Sequence, residues 1–552
     1  MRQPYWQTPA VAVVASYLKV RFRFVTSSRR SRSGLTSAAL FVTLFVGMSV
    51  GAAGATGRAV PRFEPSVCPT LAVEVVPAIK RARCGFLVVP ENRARPSGRT
   101  IRLAVATVPA MSRTPASDPV VYLDGGPGGT GVASLQSLID TGVNRDRALI
   151  AIGQRGTLFS KPALTCPEVD RFLARSAGLV YDAASTGRLH VAATLACRRR
   201  LAARGIDLGA YNTTENAADI ADLRTALGIA GWNLYGVSYG TDLALTVMRE
   251  HPQGIRSVTL DSPVPSNVVN VAGLWPNARA GFDNLFRACR AQPACRRRHP
   301  GLAQTFARLV RRLEAHPLTA RVQPAAGKPA VKVVLDGGAL VNWLVIVVLT
   351  NSDSAIRSVP AAIGDLAAGR PQAIAAARAA FTTLGGIGLV GYGLQYGVAC
   401  SEWIRPASDV LGQGRRAFPG YPDSVVAQAP QLPFINGDCR AWDVPKAPST
   451  ARAVTRSSIP TLVMAGTFDA ATPPSQGKVA ARTLPNSTLV TIPGSGHQVI
   501  LASSCARRVL ASFLSSPAAP NTRCVAGLRL PTFAASPTTA AAEGLEPPTP
   551  GS

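Results

Sequence analysis

Acidic residues are scarce in this 552-residue chain, which has 30 Asp and Glu against 59 Lys and Arg and a formal net charge of +29. Charged residues make up only 16% and hydrophobic residues 47%, which excludes a wholly disordered chain. No compact block alternates basic and aromatic residues, so we expect no nucleic-acid partner. The positive charge either favours anionic cell-envelope polymers as partners or reflects an Arg-rich coding bias.

The first 34 residues contain no acidic residue and seven basic ones. An uncharged stretch, Leu35–Ala55, follows and ends in small residues. A basic segment, an apolar segment and an Ala-x-Ala-like site form a secretory signal peptide, so we predict that residues 1–55 direct export. The alternative is a membrane anchor, because 21 uncharged residues could just span a bilayer. Either way, we expect a secreted or envelope-associated protein.

No two cysteines have the Cys-x-x-Cys spacing, which argues against a zinc site and thioredoxin-like chemistry, and we expect no metal. Ten cysteines are an even number in a chain predicted to be exported, which indicates disulfides. We predict pairing between neighbours along the chain, one of many connectivities that ten cysteines allow. The predicted pairs are Cys68–Cys84, Cys166–Cys197, Cys289–Cys295, Cys400–Cys439 and Cys505–Cys524.

Short apolar runs bounded by turn residues recur along the chain and indicate strands buried on both faces of a mostly parallel sheet. These runs are Ile101–Val108, Val120–Leu123, Ala148–Ile152, Trp232–Tyr235, Ser257–Leu260, Thr461–Ala465 and Thr488–Ile492. Helical patterns lie between them, including Ala217–Leu227 and Asp242–His251, so the alternation predicts an α/β fold.

The alternation of strands and helices stops after Asp261 and resumes at Pro460. The intervening sequence is Ala/Leu/Arg-rich and helix-like, as in Leu302–Ala315 and Ala361–Ala380, which predicts a mainly helical insertion. The predicted organisation is residues 56–261 for the first part of the sheet domain, 262–455 for the insertion, 456–530 for the second part of the sheet domain with the last disulfide, and 531–552 for a disordered tail.

The segment Gly236–Gly240 (GVSYG) lies between a predicted strand and a helical run. This is the context of a nucleophile elbow, in which glycines let a serine occupy a tight strand-to-helix turn with its hydroxyl exposed. Ser238 is therefore the predicted nucleophile. A second segment, Asp124–Gly129 (DGGPGG), also follows a predicted strand, and we predict an oxyanion hole formed by the backbone N–H groups of Gly126 and Tyr239.

The chain contains only five histidines, and four of them lie at helix ends, in a basic cysteine loop or on a helix-like segment. His497 differs, because it lies in a glycine-rich loop after the last predicted strand. Asp469 lies just past the preceding predicted strand. The order Ser238, Asp469, His497, each at the carboxyl end of a strand, is the order of a hydrolase triad.

With these residues in place, the chain resembles an α/β-hydrolase of the proline iminopeptidase group, and most of all its exported tripeptidyl-aminopeptidase-like branch. The resemblance covers about residues 65–525 and rests on Gly125–Gly129, Gln154–Thr157 with Ser160, Cys166–Glu168, Asp219–Gly228, Gly236–Thr241, Gly466–Asp469, Gly496–His497, Cys505 and Cys524. It implies the α/β-hydrolase fold, a catalytic triad of Ser238, Asp469 and His497, and a helical cap formed by the insertion.

In that family, acidic residues of the cap bind the free amino end of the substrate, and the resemblance makes Glu402 a candidate for this role. The other interpretation of Glu402 is a solvated surface residue. Three residues depart from the family pattern: Asp124 stands where a histidine is usual, Gly153 where an aspartate precedes Gln-Arg-Gly, and Leu158 where a glycine is usual.

The sequence thus predicts an exported serine aminopeptidase without a cofactor, which acts on peptides that have a free amino end. Two alternatives stay open. The same triad could serve an esterase or lipase, since its chemistry does not choose between esters and amides. The protein could also be a non-catalytic basic protein that binds the cell envelope. The number of residues released and the oligomeric state are left open.

Overall fold

The structure is a computed structural model and describes residues 61–70, 76–323, 329–385, 388–404 and 409–536. The predicted signal peptide, residues 1–55, lies outside the described residues. The strands are β1 Arg62–Ser66, β2 Arg83–Pro90, β3 Thr100–Val108, β4 Ala116–Leu123, β5 Arg147–Ile152, β6 Trp232–Val237, β7 Ile255–Asp261, β8 Leu318–Val322, β9 Val331–Leu335, β10 Thr461–Gly466 and β11 Ser487–Ile492.

Helices connect most of these strands. They are α1 Leu135–Asp140, α2 Pro167–Ser176, α3 Thr186–Ala202, α4 Thr213–Ala226, α5 Tyr239–Glu250, α6 Leu274–Ala291, α7 Pro293–Arg298, α8 Leu302–Ala315, α9 Gly337–Thr350, α10 Asp353–Ala367, α11 Gln372–Gly385, α12 Tyr392–Val398, α13 Val410–Ala417, α14 Asp423–Val426, α15 Ile435–Trp442, α16 Pro474–Ala481, α17 Val499–Ala502 and α18 Ser504–Ser515. Short 3₁₀ turns are Pro77–Arg81, Leu208–Ala210, Val271–Gly273, Ser449–Arg452 and Arg523–Gly527, and Ala399–Trp403 is a π-helical turn.

Nine strands form one sheet in the order β1-β2-β3-β5-β4-β6-β7-β10-β11. The first three strands and the β3–β5 pair are antiparallel, and the other pairs are parallel. Alternate residues of β10 face opposite apolar layers: Leu462 and Met464 pack in the cluster that contains α1 and α18, and Val463 packs in the cluster that contains α4 and α5. The prediction of a mostly parallel sheet flanked by helices is confirmed, and the antiparallel strands β1 and β2 at one end of the sheet are an addition to it.

The region between β7 and β10 is mainly helical, as the sequence predicts. It also contains an antiparallel two-stranded sheet, β8–β9. The helix-like stretch Ala361–Ala380 belongs to two helices, because α10 ends at Ala367 and α11 begins at Gln372. Gly369 lies between them at φ 81° and Pro371 follows, and both residues stop a helix.

The helical cap is not built from this insertion alone. Helices α2 and α3, which follow β5, share one apolar cluster with the cap helices. Thr194 on α3 donates a hydrogen bond to Asp438 on α15 at 2.8 Å, and His190 Nδ1 lies 2.9 Å from the same carboxylate. The apolar core of the cap therefore includes residues from outside the predicted insertion, because residues far apart in the chain complete one core.

The ten cysteines form five disulfides, and the pairs are those that sequential pairing predicts. Cys400–Cys439 joins the π-helical turn to α15 inside the cap, and Cys505–Cys524 closes the C-terminal helix onto the following turn. Five disulfides are typical of proteins outside the reducing cytoplasm. Across the described ranges, none of the helices has both the length and the apolar character of a membrane span.

The start of the predicted disordered tail is ordered. Phe533 is buried and stacks on Phe468 with ring centroids 6.4 Å apart. Gln292 at the end of α6 donates to the carbonyl of Pro531 at 2.8 Å and accepts from the N–H of Phe533 at 3.2 Å. Residues 531–534 thus connect the cap to the sheet domain, and the remainder of the predicted tail, from residue 537, lies outside the described residues.

Candidate active site

Ser238 occupies a strained turn between β6 and α5, with φ 54° and ψ −124°. The flanking glycines make this turn possible. A Cβ atom on Gly240 would lie 1.9 Å from the carbonyl oxygen of Leu123, and one on Gly236 would lie 2.3 Å from the carbonyl oxygen of Gly240. Strain of this kind costs about 1–3 kcal/mol and persists where the surrounding structure enforces it. The local geometry is that of a nucleophile elbow.

Ser238 is more exposed than the residues on either side of it. Trp232–Val237 and the residues from Tyr239 to Met248 are buried, whereas Ser238 is partly exposed. Tyr239 begins α5, where backbone N–H groups have no acceptor within the helix. An anion at the serine would therefore face the positive end of the helix dipole.

The glycine-rich loop after β4 lies against the serine. A Cβ atom on Gly125 would lie 2.9 Å from Ser238 Cβ and 3.6 Å from Ser238 Oγ. Gly126 has φ 113°, a backbone conformation that residues other than glycine rarely adopt. The structure thus brings the two predicted oxyanion segments, at Gly126 and Tyr239, to the same side chain.

Asp124, at the start of this loop, fixes its shape. The carboxylate accepts hydrogen bonds from Tyr122 Oη at 3.0 Å, from the N–H of Gly125 at 2.8 Å and from Ser134 Oγ at 2.9 Å. Burial raises the pKa of Asp124, although these hydrogen bonds oppose the shift. The side chain points into its own turn, so its role is to hold the loop.

Asp469 and His497 form a direct pair. His497 Nδ1 lies 2.7 Å from Asp469 Oδ2. Asp469 Oδ1 accepts from the backbone N–H groups of Ala471 and Thr472 at 2.8 and 2.9 Å. This arrangement leaves Nε2 as the nitrogen that would act on a serine hydroxyl.

Thr472 is a member of the site that sequence reasoning missed. Its Oγ1 donates to Asp469 Oδ2 at 2.6 Å and lies 3.2 Å from His497 Nδ1. A threonine three residues after the acid was the available signal, but many loops contain one. Only the fold shows that its hydroxyl touches both partners.

The pair and the serine follow neighbouring parallel strands, β6, β7, β10 and β11, whose carboxyl ends share one edge of the sheet. Asp261 at the end of β7 connects them: its carbonyl accepts from the N–H of Ser238 at 3.1 Å and its carboxylate from the N–H of Val499 at 2.9 Å. Among the described residues, no hydrogen bond joins Ser238 Oγ to His497. In enzymes without substrate this contact is often long and shortens on binding.

The electrostatics suit a general base. Burial by itself lowers the pKa of His497, but the facing carboxylate of Asp469 outweighs burial, and the pKa of His497 lies above its usual 6.5. Burial likewise raises the pKa of Asp469, yet His497 and Thr472 bring it below its usual value. Asp469 therefore stays ionised and favours the protonated imidazole, which is the state that a base reaches during the reaction.

Glu402 lies in the π-helical turn and is 3% exposed, so it is not a solvated surface residue. Its carboxylate accepts from the N–H of Thr213 at 2.8 Å and from Thr213 Oγ1 at 2.6 Å. The same threonine hydroxyl lies 3.2 Å from Tyr239 Oη, which connects Glu402 to the elbow. Burial and the nearby carboxylate of Asp242 raise the pKa of Glu402 to about 8, and burial raises that of Asp242 to about 6.

Comparison with known proteins decides the family. The family model for the alpha/beta hydrolase fold matches residues 118–502. The chain belongs to the α/β-hydrolase family. This range contains the elbow, the acid–histidine pair and the whole cap.

This α/β-hydrolase is similar to three named relatives. The serine protease Hip1 of Mycobacterium tuberculosis is 25% identical over 461 residues, which cover 80% of this chain and 86% of Hip1. The tripeptidyl aminopeptidase of Streptomyces coelicolor is 31% identical over 193 residues, 34% of this chain and 36% of that enzyme. Carboxylesterase B of M. tuberculosis is 25% identical over 234 residues, 39% of this chain and 43% of that protein. The chain is thus a hydrolase of this family with relatives named as serine proteases and aminopeptidases.

The structure explains two of the three departures from the proline iminopeptidase pattern. Gly153 offers Arg155 no carboxylate, and Arg155 instead forms a bidentate ion pair with Asp219. Its Nε and Nη2 atoms each lie 2.8 Å from one carboxylate oxygen. Asp124 holds the oxyanion loop, as described above. Nothing in the structure explains Leu158. In the ranges described, no group of three or more His, Cys, Asp or Glu side chains is arranged to hold a metal ion.

Proposed function

We propose that this protein is an exported serine peptidase that removes residues from the amino end of peptides. In this proposal His497 Nε2 takes the proton of Ser238 Oγ as that oxygen attacks the scissile carbonyl. The N–H groups of Gly126 and Tyr239 stabilise the oxyanion, and the imidazolium then protonates the leaving amine. Water, activated by the same imidazole, attacks the acyl-enzyme, so Ser238 regains its proton and the acyl group leaves as a carboxylic acid.

The observation that carries the proposal is the paired site itself. A strained, partly exposed Ser238 lies at an elbow, and a pair formed by the buried Asp469 and the partly buried His497 follows the neighbouring parallel strands of the same sheet edge. The preorganised N–H groups at such a serine are worth several kcal/mol in transition-state stabilisation, with about 3–4 kcal/mol lost per donor removed.

The preference for a free amino end is supported by the acidic pair behind the elbow. Glu402 and Asp242 are both buried; burial raises the pKa of each carboxyl group, and the carboxylate of Asp242 raises that of Glu402 further. An ammonium group entering this region would stabilise both carboxylates, because an opposite charge lowers a carboxyl pKa. Relatives named serine protease and tripeptidyl aminopeptidase also support a peptidase that acts at the amino end.

The test compares matched substrates. We expect turnover of tripeptidyl- and aminoacyl-chromophore amides with a free amine, and at least 10-fold lower kcat/KM for their N-acetylated forms, about 1.4 kcal/mol. Ser238→Ala should lose about 10⁴-fold or more in kcat. Turnover by Ser238→Ala equal to that of the unchanged protein would exclude this nucleophile, and preference for the acetylated amides would exclude the aminopeptidase.

An esterase is the second candidate, and the relative named carboxylesterase B favours it. Both activities would use Ser238, so the choice depends on the acyl group. Short acyl esters without an amine, assayed beside the free-amine amides, separate the two. Higher kcat/KM for the esters, unchanged by Glu402→Gln, would favour the esterase.

Export and envelope association are further parts of the proposal. The basic and apolar segments of residues 1–55 and the five disulfides support export. A surface groove of about 360 Å³ has five basic side chains in its lining and one acidic side chain, Glu64, which pairs with Arg62 and Arg102. The basic residues are Arg62, Arg99, Arg102, Lys161 and Arg204, and their excess supports contact with anionic polymers. Retention on immobilised poly-L-glutamate should fall steeply with salt and weaken in Arg102→Glu. Retention that salt does not change would contradict the association.

A further inference from the structure

The loop that carries His497 is held from the cap by one side chain. Asn351 Oδ1 accepts from the N–H of Gly496 at 2.6 Å, and Asn351 Nδ2 donates to the carbonyl of Gln498 at 3.1 Å. The hydroxyl of Ser495 lies 3.2 and 3.3 Å from the two atoms of the same amide. One amide thus binds the residues on both sides of the histidine.

The backbone of His497 is bound by the same part of the cap. Its N–H donates to the carbonyl of Val348 at 3.0 Å. Val348 lies in the last turn of α9, where carbonyl groups have no intrahelical donor. Gly496 allows this approach, because a Cβ atom there would lie 2.1 Å from the Val348 oxygen.

The sequence of α9 explains why this end of the helix is buried. The helix, Gly337–Thr350, is apolar on nearly all sides and is buried in the cap. It ends at Asn351 in the left-handed conformation, with φ 48°, which asparagine tolerates better than most residues. Asn351 is 4% exposed, so its amide is withdrawn from solvent.

On the other side, the histidine loop lies against the sheet. A Cβ atom on Gly466, at the end of β10, would lie 2.2 Å from the Gly496 oxygen and 2.3 Å from the Ser495 oxygen. The loop is therefore enclosed between the sheet edge, which carries Asp469, and the end of α9. Asp469 orients the imidazole, and the cap determines where its backbone lies.

We propose that Asn351 is a positioning residue for the general base, so that the cap takes part in catalysis by placing His497 against Ser238. This inference rests on the proposed roles of Ser238 and His497. Displacement of a catalytic group by about 1 Å can cost about 100-fold in rate. The cap would then contribute to kcat as well as to substrate binding.

The test uses Asn351→Gly, which removes the amide and retains the left-handed turn, and Asn351→Asp, which keeps the acceptor for the Gly496 N–H. The rate of fluorophosphonate reaction with Ser238 measures base positioning without a peptide substrate. We expect Asn351→Gly to lower this rate, and kcat, by about 10- to 100-fold with KM within about twofold. Asn351→Asp should recover part of the loss.

Asn342→Ala is the matched control, because Asn342 is a buried asparagine on the same helix and donates to the carbonyl of Pro430 at 3.0 Å, away from the histidine loop. It should lower the Tm and leave the labelling rate unchanged. An unchanged labelling rate in Asn351→Gly, or an equal loss in Asn342→Ala, would overturn the positioning role. A protein whose Ser238 does not label at all would overturn the proposed function and this inference with it.

Discussion

The carboxylate of Asp469 shows how this site keeps a charge in the interior. A buried carboxylate is costly unless it is bonded, and Asp469 accepts hydrogen bonds from two backbone N–H groups, from Thr472 Oγ1 and from His497. Each donor favours the ionised form. The imidazole therefore faces a permanent negative charge.

This arrangement predicts the pH dependence. His497 must be neutral to accept the serine proton, and Asp469 raises its pKa, so kcat/KM should rise with pH through an apparent pKa above 6.5. Asp469→Asn should lower that apparent pKa and reduce kcat by about 10⁴-fold. Rate profiles from about pH 5 to about pH 9 measure both. An apparent pKa that is the same in both proteins would show that the titrating group is not His497.

Glu402 predicts a pH dependence of stability. Its pKa is raised to about 8 by burial, so the folded protein holds the proton more tightly than the unfolded chain. The contribution of protonated Glu402 to the free energy of unfolding is therefore fully present below the unfolded pKa of about 4.3. This contribution is lost progressively as the pH rises to about 8. In urea unfolding, the free energy of unfolding of Glu402→Gln should fall less with rising pH than that of the unchanged protein. Substitution of the exposed Glu250 by Gln should leave the pH dependence unchanged. Identical slopes in the two variants would contradict the assignment.

Among the secondary structure elements, the junction of β4, β6 and α5 is the most tightly determined. Gly240 lies so close to Leu123 that no side chain fits between the helix and the strand end. Helix α5 can therefore start directly beside the oxyanion loop. The position of the serine depends on this contact.

Substitution at this junction should be severe. Gly240→Ala forces the helix away from β4, and we expect a loss of about 3 kcal/mol or more in the free energy of unfolding together with loss of fluorophosphonate labelling. Gly273→Ala is the control, because Gly273 has φ −69° and open space around its Cβ position. Normal labelling of Gly240→Ala would show that the elbow tolerates a shift of α5.

In the molecule as a whole, two attachments join the cap to the sheet domain, one at the loop of His497 and one at the loop of Asp469. Helix α9 holds the histidine loop, and residues 531–534 connect α6 and α10 to the loop of Asp469. Arg357 on α10 donates to the carbonyl of Thr532 at 2.7 Å, and its own carbonyl accepts from the N–H of Ala534 at 2.9 Å. Cap and sheet domain are expected to unfold together.

Phe533 tests this connection. Phe533→Ala should cost about 3 kcal/mol, because it removes a buried ring that stacks on Phe468. Urea unfolding measures this loss. Equal stability of Phe533→Ala and the unchanged chain would mean that the segment contributes little to holding the cap.

Much of the fold and part of the site could be predicted because their signals are local. The elbow follows from Gly236 and Gly240 around Ser238, since the turn depends on backbone space within a few residues. The buried parallel strands follow from short apolar runs, because both of their faces are covered. The break between α10 and α11 lies at Gly369 and Pro371, two residue types that commonly end a helix.

The remaining features depend on residues that are distant in the chain. Thr472 on the acid, Asn351 on the histidine loop and Phe533 on Phe468 are each common residue types whose sequence neighbours carry no signal. Their roles arise because the sheet brings strand ends together and the cap closes over them. Short sequence motifs thus determine the local backbone geometry. The placement of the base and the attachment of the cap depend instead on contacts that exist only after the chain has folded.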